Sequence, residues 1–470
     1  MKKKRAKLTS FSILMLIVLG LVIISRFIPG VTPATLGDFT MSVYMGYENA
    51  VDVCIFVTFL GGFLEIVNST GALDAGVAVL VKKLHGKEEI LIAVLMFLFS
   101  VGGTTYGMCE ETVPFYLLLA TTMVAAGMDT LVGAAVVLLG AGVGVLGSTI
   151  NPFATGIAMS TAADSGLAIN SGTIMMLGAI LWISSYLIAL FFVLKYAKKV
   201  KADKGSTFLS LQEQEDMAEI AKKTVIGDDV KLTSSQKYVL ILFALAFVVM
   251  ICGFIPWVDL GVIDAEVADA GTHWSAVLTG NCFGYWWFSD GTTWFLLMSI
   301  IIAVVARISE KEYVERFIAG AGGMMSVVLV IAVARGAKVI MATTGLDVWI
   351  LDSCSKLLSG VSATLFAPIA YLVYIPLSFF IPSSSGLATV SMPVFAPLAE
   401  SLGFSPEVMI MIFSAGNGLV NLFTPTSGAI MGGLALAKVE WTTWVKWAWK
   451  CIVVIAIANI VILTAAMMIL

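Results

Sequence analysis

The 470-residue chain is 59% hydrophobic and only 12% charged, with a net charge of −4. Soluble globular domains carry about 25% charged residues, so this composition excludes an ordinary soluble enzyme. Long apolar stretches recur from end to end and leave no room for a soluble domain of useful size.

The N-terminus, Met1-Lys2-Lys3-Lys4-Arg5, precedes an apolar run from Phe11 to about Ile28 and so mimics a signal peptide. A run of that length fits a retained first span of about 20 residues better than a signal core of about 7–15. The expected spans are 9–29, 50–68, an interrupted 130–163, 171–194, 236–256, 290–306, 317–340, an interrupted 406–437 and 447–469. Two more apolar stretches, 88–126 and 361–400, are broken near their middles by Gly, Ser, Thr and Pro. Each reads as a re-entrant hairpin; the alternative is a pair of ordinary helices joined by a tight turn. The polar stretch 195–235, with Lys198, Lys199, Lys201 and Gln212-Glu213-Gln214-Glu215, reads as a cytoplasmic linker with a short helix, a solvated connector on composition. It separates a first half, 1–194, from a second half, 236–470.

Basic residues concentrate in cytoplasmic loops. No Lys or Arg occurs from 27 to 81, 88 to 194, 238 to 306 or 357 to 437. They cluster at 2–7, 82–87, 195–237, 307–316 and 438–450. With the N-terminus inside and both hairpins returning to the side they enter from, every cluster falls inside. The aromatic, acidic loop 257–289 then falls outside. This predicts a multi-pass protein of the cytoplasmic membrane with the lipid bilayer as its solvent and no nucleic-acid partner. Cys54, Cys109, Cys252, Cys282, Cys354 and Cys451 show no metal-ligand spacing; a Cys282–Cys354 disulfide on the outer side stays open.

The halves resemble each other. Ser69-Thr70-Gly71 is echoed by Thr343-Thr344-Gly345, each followed by an acidic residue, Asp74 and Asp347. Gly107 and Pro114 of the first hairpin fall on Gly386 and Pro393 of the second at one common offset. A span broken by an X-Pro step follows each hairpin, at Asn151-Pro152 and at Thr424-Pro425. The first hairpin enters from inside and the second from outside, so the expected fold is an all-α inverted-repeat transporter with two re-entrant hairpins and two broken transmembrane helices. Such breaks point to a binding site at the midplane.

A helix end at membrane depth leaves backbone groups unpaired. N-terminal ends favour a carboxylate, and unwound carbonyls favour Na⁺. The candidate substrate-binding residues are Thr104, Thr105, Glu110, Glu111, Asn151, Arg335, Ser383, Ser384, Ser385, Asn421, Thr424 and Thr426. Na⁺ is expected near Gly103, Ser148, Asn151, Ser384 and Thr424. Glu110 and Glu111 carry charge in an apolar stretch, where charge costs at least about 2.5–3.5 kcal/mol and usually has a role. They suit a cationic substrate group, Na⁺ or a proton; the bland alternative puts them at a wet cytoplasmic mouth. Arg335 or Lys338 suits a substrate carboxylate, or a structural pair with Glu65, Glu110 or Glu111.

The run Phe99-Ser100-Val101-Gly102-Gly103 through Tyr106-Gly107-Met108-Cys109-Glu110-Glu111 resembles the first-hairpin signature of the YfcC family. That family sits with the anaerobic C4-dicarboxylate carriers and arginine/ornithine antiporters of the ion transporter superfamily. The resemblance continues through Asn151-Pro152-Phe153, Ser383-Ser384-Ser385-Gly386, Met392-Pro393 and Pro425-Thr426-Ser427. Cys109 stands where glycine is familiar, and Arg335 where lysine is. The resemblance implies a scaffold and a moving domain, an elevator-like cycle and a homodimer. It leaves two main substrate classes, with other carboxylates or peptides as the remainder. A basic amino acid, exchanged as arginine for ornithine, suits paired carboxylates and is favoured. A C4-dicarboxylate coupled to Na⁺ or H⁺ would use Arg335, Lys338 and both hairpin tips. No other cofactor is expected. The chain contains no HExxH or GxSG motif, and His85 and His273 fall in expected loops, so neither is placed as a base beside a buried serine.

Overall fold

The computed structural model describes residues 10–470 except 74, 77, 78, 80–86, 110, 111, 224–231, 256, 259, 260, 359 and 360. Every regular element among the described residues is helical. Seven helical stretches among the described residues are long and apolar enough to cross a membrane, the continuous run Glu310–Thr344 taken as one. The first hairpin has arms Glu88–Tyr106 and Val113–Ala125; the second has arms Ala363–Phe380 and Ser384–Ser401. Each is followed by a broken span. The first runs Thr130–Leu146, a break, then a π-turn Pro152–Gly156 and Ile157–Asp164. The second runs Pro406–Val420, a break, then Gly428–Leu436. Thr130–Leu146 and Pro406–Val420 are buried on almost every side. A helix apolar all round belongs in a protein interior, and these two form the centre, where Ser414 Oγ donates to the Leu146 carbonyl at 3.3 Å.

The repeat reaches further back than the apolar runs indicate. Span Val51–Ser69 is preceded by a 14-residue helix, Leu36–Asn49, and span Met325–Thr344 by another, Glu310–Gly323. The expected span 317–340 is therefore two helices meeting at Met324. Both spans end in a left-handed glycine, Gly71 at φ 66° and Gly345 at φ 74°. Left-handed backbone at a helix end favours glycine because it has no Cβ to clash. Thr70 and Thr344 turn their hydroxyls back on carbonyls of the preceding turn in both places.

The two helix pairs run antiparallel. Thr32 N–H donates to the Thr344 carbonyl at 3.0 Å. Gly46 lies so close to the backbone of Ala332–Gly336 that a Cβ would overlap the Ala332 carbonyl oxygen. Cys54 Sγ sits 4.0 Å from the Val328 carbonyl, and at the far end Glu65 pairs with Arg316 at 3.6 Å. Glu65 is thus part of an interfacial pair with Arg316.

The start of the linker, 195–213, is anchored to the helices by ion pairs and hydrogen bonds. Helix Ser171–Ala202 continues through the basic run at 195–202, where Lys201 pairs with Glu88 at 2.6 Å and Lys198 with Glu89 at 3.0 Å. Beyond it, Thr207 donates to the buried Asp129 carboxylate at 2.7 Å, and Tyr196, within the helix, donates to the same carboxylate at 2.6 Å. Burial raises the Asp129 carboxyl above its ordinary range, against the pull of these hydrogen bonds. Glu213, 2% exposed, accepts from Glu440 N–H at 2.8 Å and Thr443 Oγ1 at 2.9 Å. It therefore caps the last helix, Trp441–Ile469, from another segment. Glu213→Ala should lower unfolding stability by about 1–3 kcal/mol, read as an earlier thermal melt of the detergent-solubilised protein. An unchanged melt would make this cap dispensable.

Cys282 is a buried free thiol, and the side chain of Cys354 lies outside what is described.

Candidate functional site

Both hairpin tips and both breaks converge on one cavity of about 320 Å³. One wall comes from the first tip and break (Gly107, Met108, Cys109, Thr112, Asn151, Phe153) and the second tip and break (Pro382 to Ser385, Asn421, Thr426 to Ile430). The facing wall comes from the antiparallel helices: Asn49, Ala50, Asp52 and Val53 on one side, Ile331, Ala334, Arg335 and Lys338 on the other, with Trp287 and Phe288.

The two tips differ in shape, despite the common offset in sequence. In the first hairpin Gly107 adopts φ 81° and ends the first arm. A Cβ on Gly107 would stand 2.7 Å from Asn151 Oδ1, so the chain passes close to the first break there. In the second hairpin Ser383 Oγ accepts from Gly386 N–H at 3.2 Å, which caps the helix at once. Gly386 is therefore helical and the break is short.

Among the expected binding residues, Asn151, Arg335, Ser383, Ser384, Ser385, Asn421 and Thr426 line the cavity. Thr104, Thr105 and Thr424 do not. Thr104 Oγ1 donates to the Gly147 carbonyl at 2.7 Å, and Thr149 Oγ1 donates back to the Thr104 carbonyl at 3.0 Å. Thr105 bonds within its own helix, to the Val101 carbonyl at 2.7 Å. Thr424 and Thr426 lie 2.6 Å apart, and Thr426 Oγ1 donates to the Phe379 carbonyl at 2.9 Å. Each break is thus fastened to its own hairpin by threonine hydroxyls. Glu110 and Glu111 lie outside the described residues.

The residues expected near Na⁺ divide between the two breaks. At the first, Asn151 Nδ2 donates to Ser148 Oγ at 3.0 Å while its Oδ1 accepts from Phe153 N–H at 2.9 Å. At the second, Ser384 Oγ donates to Asn417 Oδ1 at 2.7 Å, and Asn421 Nδ2 donates to the same oxygen at 3.1 Å. Gly103 serves packing: a Cβ there would overlap the Ala141 carbonyl oxygen, and one on Gly144 would overlap the Ser100 carbonyl oxygen. No cluster of three His, Cys, Asp or Glu side chains suited to a metal exists among the described residues.

Electrostatically the second tip is the positive end of the cavity. Helix Ser384–Ser401 starts there, and helix Gly428–Leu436 starts nearby without a side-chain cap. Lys338 Nζ lies 3.4 Å from where a Cβ on Gly386 would stand. An ammonium beside a helix N-terminus is unfavourable without an anion, because both are positive. Lys338 is half-buried and has no hydrogen bond or ion pair among the described residues. Asn417 is 1% exposed and its Nδ2 is an unpaired donor beside Ser384. The arrangement supplies hydroxyl, amide N–H and ammonium donors to one anionic group.

The profile of a family described as C4-dicarboxylate anaerobic carrier, DcuC, matches residues 8–468. The chain belongs to the DcuC family. It is accordingly a multi-pass membrane transporter of a small-molecule substrate. An uncharacterised protein of Haemophilus influenzae is 32% identical over 410 residues, which cover 87% of this chain and 74% of that protein. YfcC of Escherichia coli strain K12, described as a proposed basic amino acid antiporter, is 26% identical over 85% of this chain and 74% of its own length. The structure of Neisseria gonorrhoeae MtrF matches 99% of this chain and 96% of that chain at 16% identity, with a TM-score of 0.45.

Asn49, Asp52, Trp287 and Asn417 belong to this site or its support and are absent from the sequence-based set. Asp52 opens an apolar run and so resembles an interfacial residue. Trp287 resembles an outer-loop anchor. Asn417 is a lone polar residue in an apolar helix, and that isolation was its signal.

Proposed function

We propose that this chain is a secondary transporter that exchanges basic amino acids, of the arginine and ornithine type, across the cytoplasmic membrane. The observation that carries the reading is Lys338: an ammonium set beside the N-terminus of the second hairpin's helix, with no hydrogen bond or ion pair among the described residues. The substrate α-carboxylate would complete this corner, accepting from Lys338, Ser383 to Ser385 and the free N–H groups of the helix. The description of the Escherichia coli relative agrees with this substrate class. The basic clusters favour a cytoplasmic N-terminus and hairpins that return to their side of entry. The cavity lies between two walls, one of hairpins and breaks and one of the paired antiparallel helices. Movement of the first against the second would carry the site from one face to the other, the elevator-like cycle.

A second reading, a C4-dicarboxylate carrier, is favoured by one observation: Arg335 and Lys338 both line the cavity. Counterflow in proteoliposomes separates the two. Vesicles preloaded with ornithine should accumulate labelled arginine well above unloaded vesicles. Exchange of succinate without exchange of arginine would overturn the amino-acid reading in favour of the dicarboxylate.

A further inference from the structure

We infer that Asp52, with the aromatic faces of Trp287 and Phe153, forms a cation subsite that receives the side-chain ammonium or guanidinium of the substrate. The inference rests on the amino-acid reading above and adds to it the residue that selects the cationic end. Asp52 lines the cavity, and it makes no hydrogen bond or ion pair among the described residues. Arg335 in the same wall is already engaged in an interaction of its own. Lys338 and Asp52 are thus charges of opposite sign around one cavity, neither of which makes a hydrogen bond or ion pair among the described residues.

Their spacing fits an extended basic amino acid. Gly46 lies at the level of Ala332–Gly336 and Cys54 at the level of Val328. Asp52 thus stands near residues 328–332 of the antiparallel helix. Lys338 is six to ten residues further along, roughly 9–15 Å at 1.5 Å per residue. An extended arginine, with a hydrogen bond of about 2.9 Å at each end, covers that distance. A C4-dicarboxylate has no cationic end for Asp52 to receive, and like charges placed together repel. Phe153 and Trp287 pack with ring centres 4.8 Å apart, and both line the cavity with Asp52. Aromatic faces attract guanidinium and ammonium groups, so a carboxylate and two rings make a receptor for that end. Asp52 also sits in the first turn of Val51–Ser69, where a negative charge stabilises a helix. That purely structural role has a different readout.

The test compares arginine with citrulline, its neutral isostere, as external substrates against internal ornithine in proteoliposomes. The wild-type protein should prefer arginine in kcat/KM, and Asp52→Asn should reduce that preference about 10-fold or more. Citrulline entry should change little, and Asp52→Glu should restore the preference. An arginine-to-citrulline ratio unchanged in Asp52→Asn would overturn the inference, also where the variant melts earlier, since a helix-capping role alone would do that. Wild-type protein that exchanges succinate but neither amino acid would instead overturn the parent reading, and the subsite with it.

Discussion

Lys338→Gln should abolish transport of a carboxylate-bearing substrate while leaving the protein folded. The ammonium stands at the N-terminus of Ser384–Ser401, and its loss removes a charged donor that makes no hydrogen bond or ion pair among the described residues. Removing one member of a desolvated charge pair costs about 2–5 kcal/mol, which is a loss of at least about 30-fold in kcat/KM. Because Lys338 is only half-buried and glutamine keeps much of its stem, the variant should elute and melt like the parent. Lys338→Arg should recover only part of the activity, since a planar fork does not replace a compact ammonium at a fixed site. Ser384→Ala should do less harm, because Ser383, Ser385 and Lys338 remain in the cavity wall. Initial rates of counterflow across these three variants give the order. Full activity in Lys338→Gln would remove the carboxylate corner from the account.

Gly144→Val should prevent accumulation of folded protein. Gly144 faces Gly103 across the contact between the first hairpin arm and the first broken span, and each glycine lies against a backbone carbonyl of the other helix. Glycine at membrane depth lets helices approach this closely, and the packing it permits holds them. A valine would push the backbones apart, at an overpacking cost of about 1–3 kcal/mol or more. Here the contact also sets the hairpin tip against the break, where Thr104 and Gly147 share a hydrogen bond. The expected readout is loss of the monodisperse peak in fluorescence-detected size exclusion. Gly127→Ala offers a contrast. A Cβ there meets nothing within 4 Å, and the φ of 84° predicts a modest loss from backbone strain alone.

The broken elements were legible in the sequence because glycine, proline and clustered hydroxyls act locally. Asn151-Pro152 and Thr424-Pro425 mark breaks, and Gly71 and Gly345 mark helix ends, in both sequence and structure. The helices Leu36–Asn49 and Glu310–Gly323 were not legible. Their mixed polarity hides them from an apolar-run reading, and they are recognised by the antiparallel partner each one packs on. Hydroxyls that resemble Ser384 in sequence have other partners in the structure: Thr104 and Thr105 donate to carbonyls, and Thr424 pairs with the Thr426 hydroxyl. Asp52 escaped attention for the opposite reason, since a carboxylate at a span's first turn is ordinary until its facing wall is known.

Cys109 offers the most direct test that the cavity is the substrate site, because its thiol lines the cavity wall. In a variant retaining Cys109 as its sole cysteine, the rate of modification by a small methanethiosulfonate reagent would be measured with and without substrate. Saturating arginine should slow that modification several-fold, with ornithine acting likewise and citrulline more weakly. An unchanged rate in the presence of arginine, ornithine and succinate, in a variant that still transports, would place the substrate elsewhere and contradict the account.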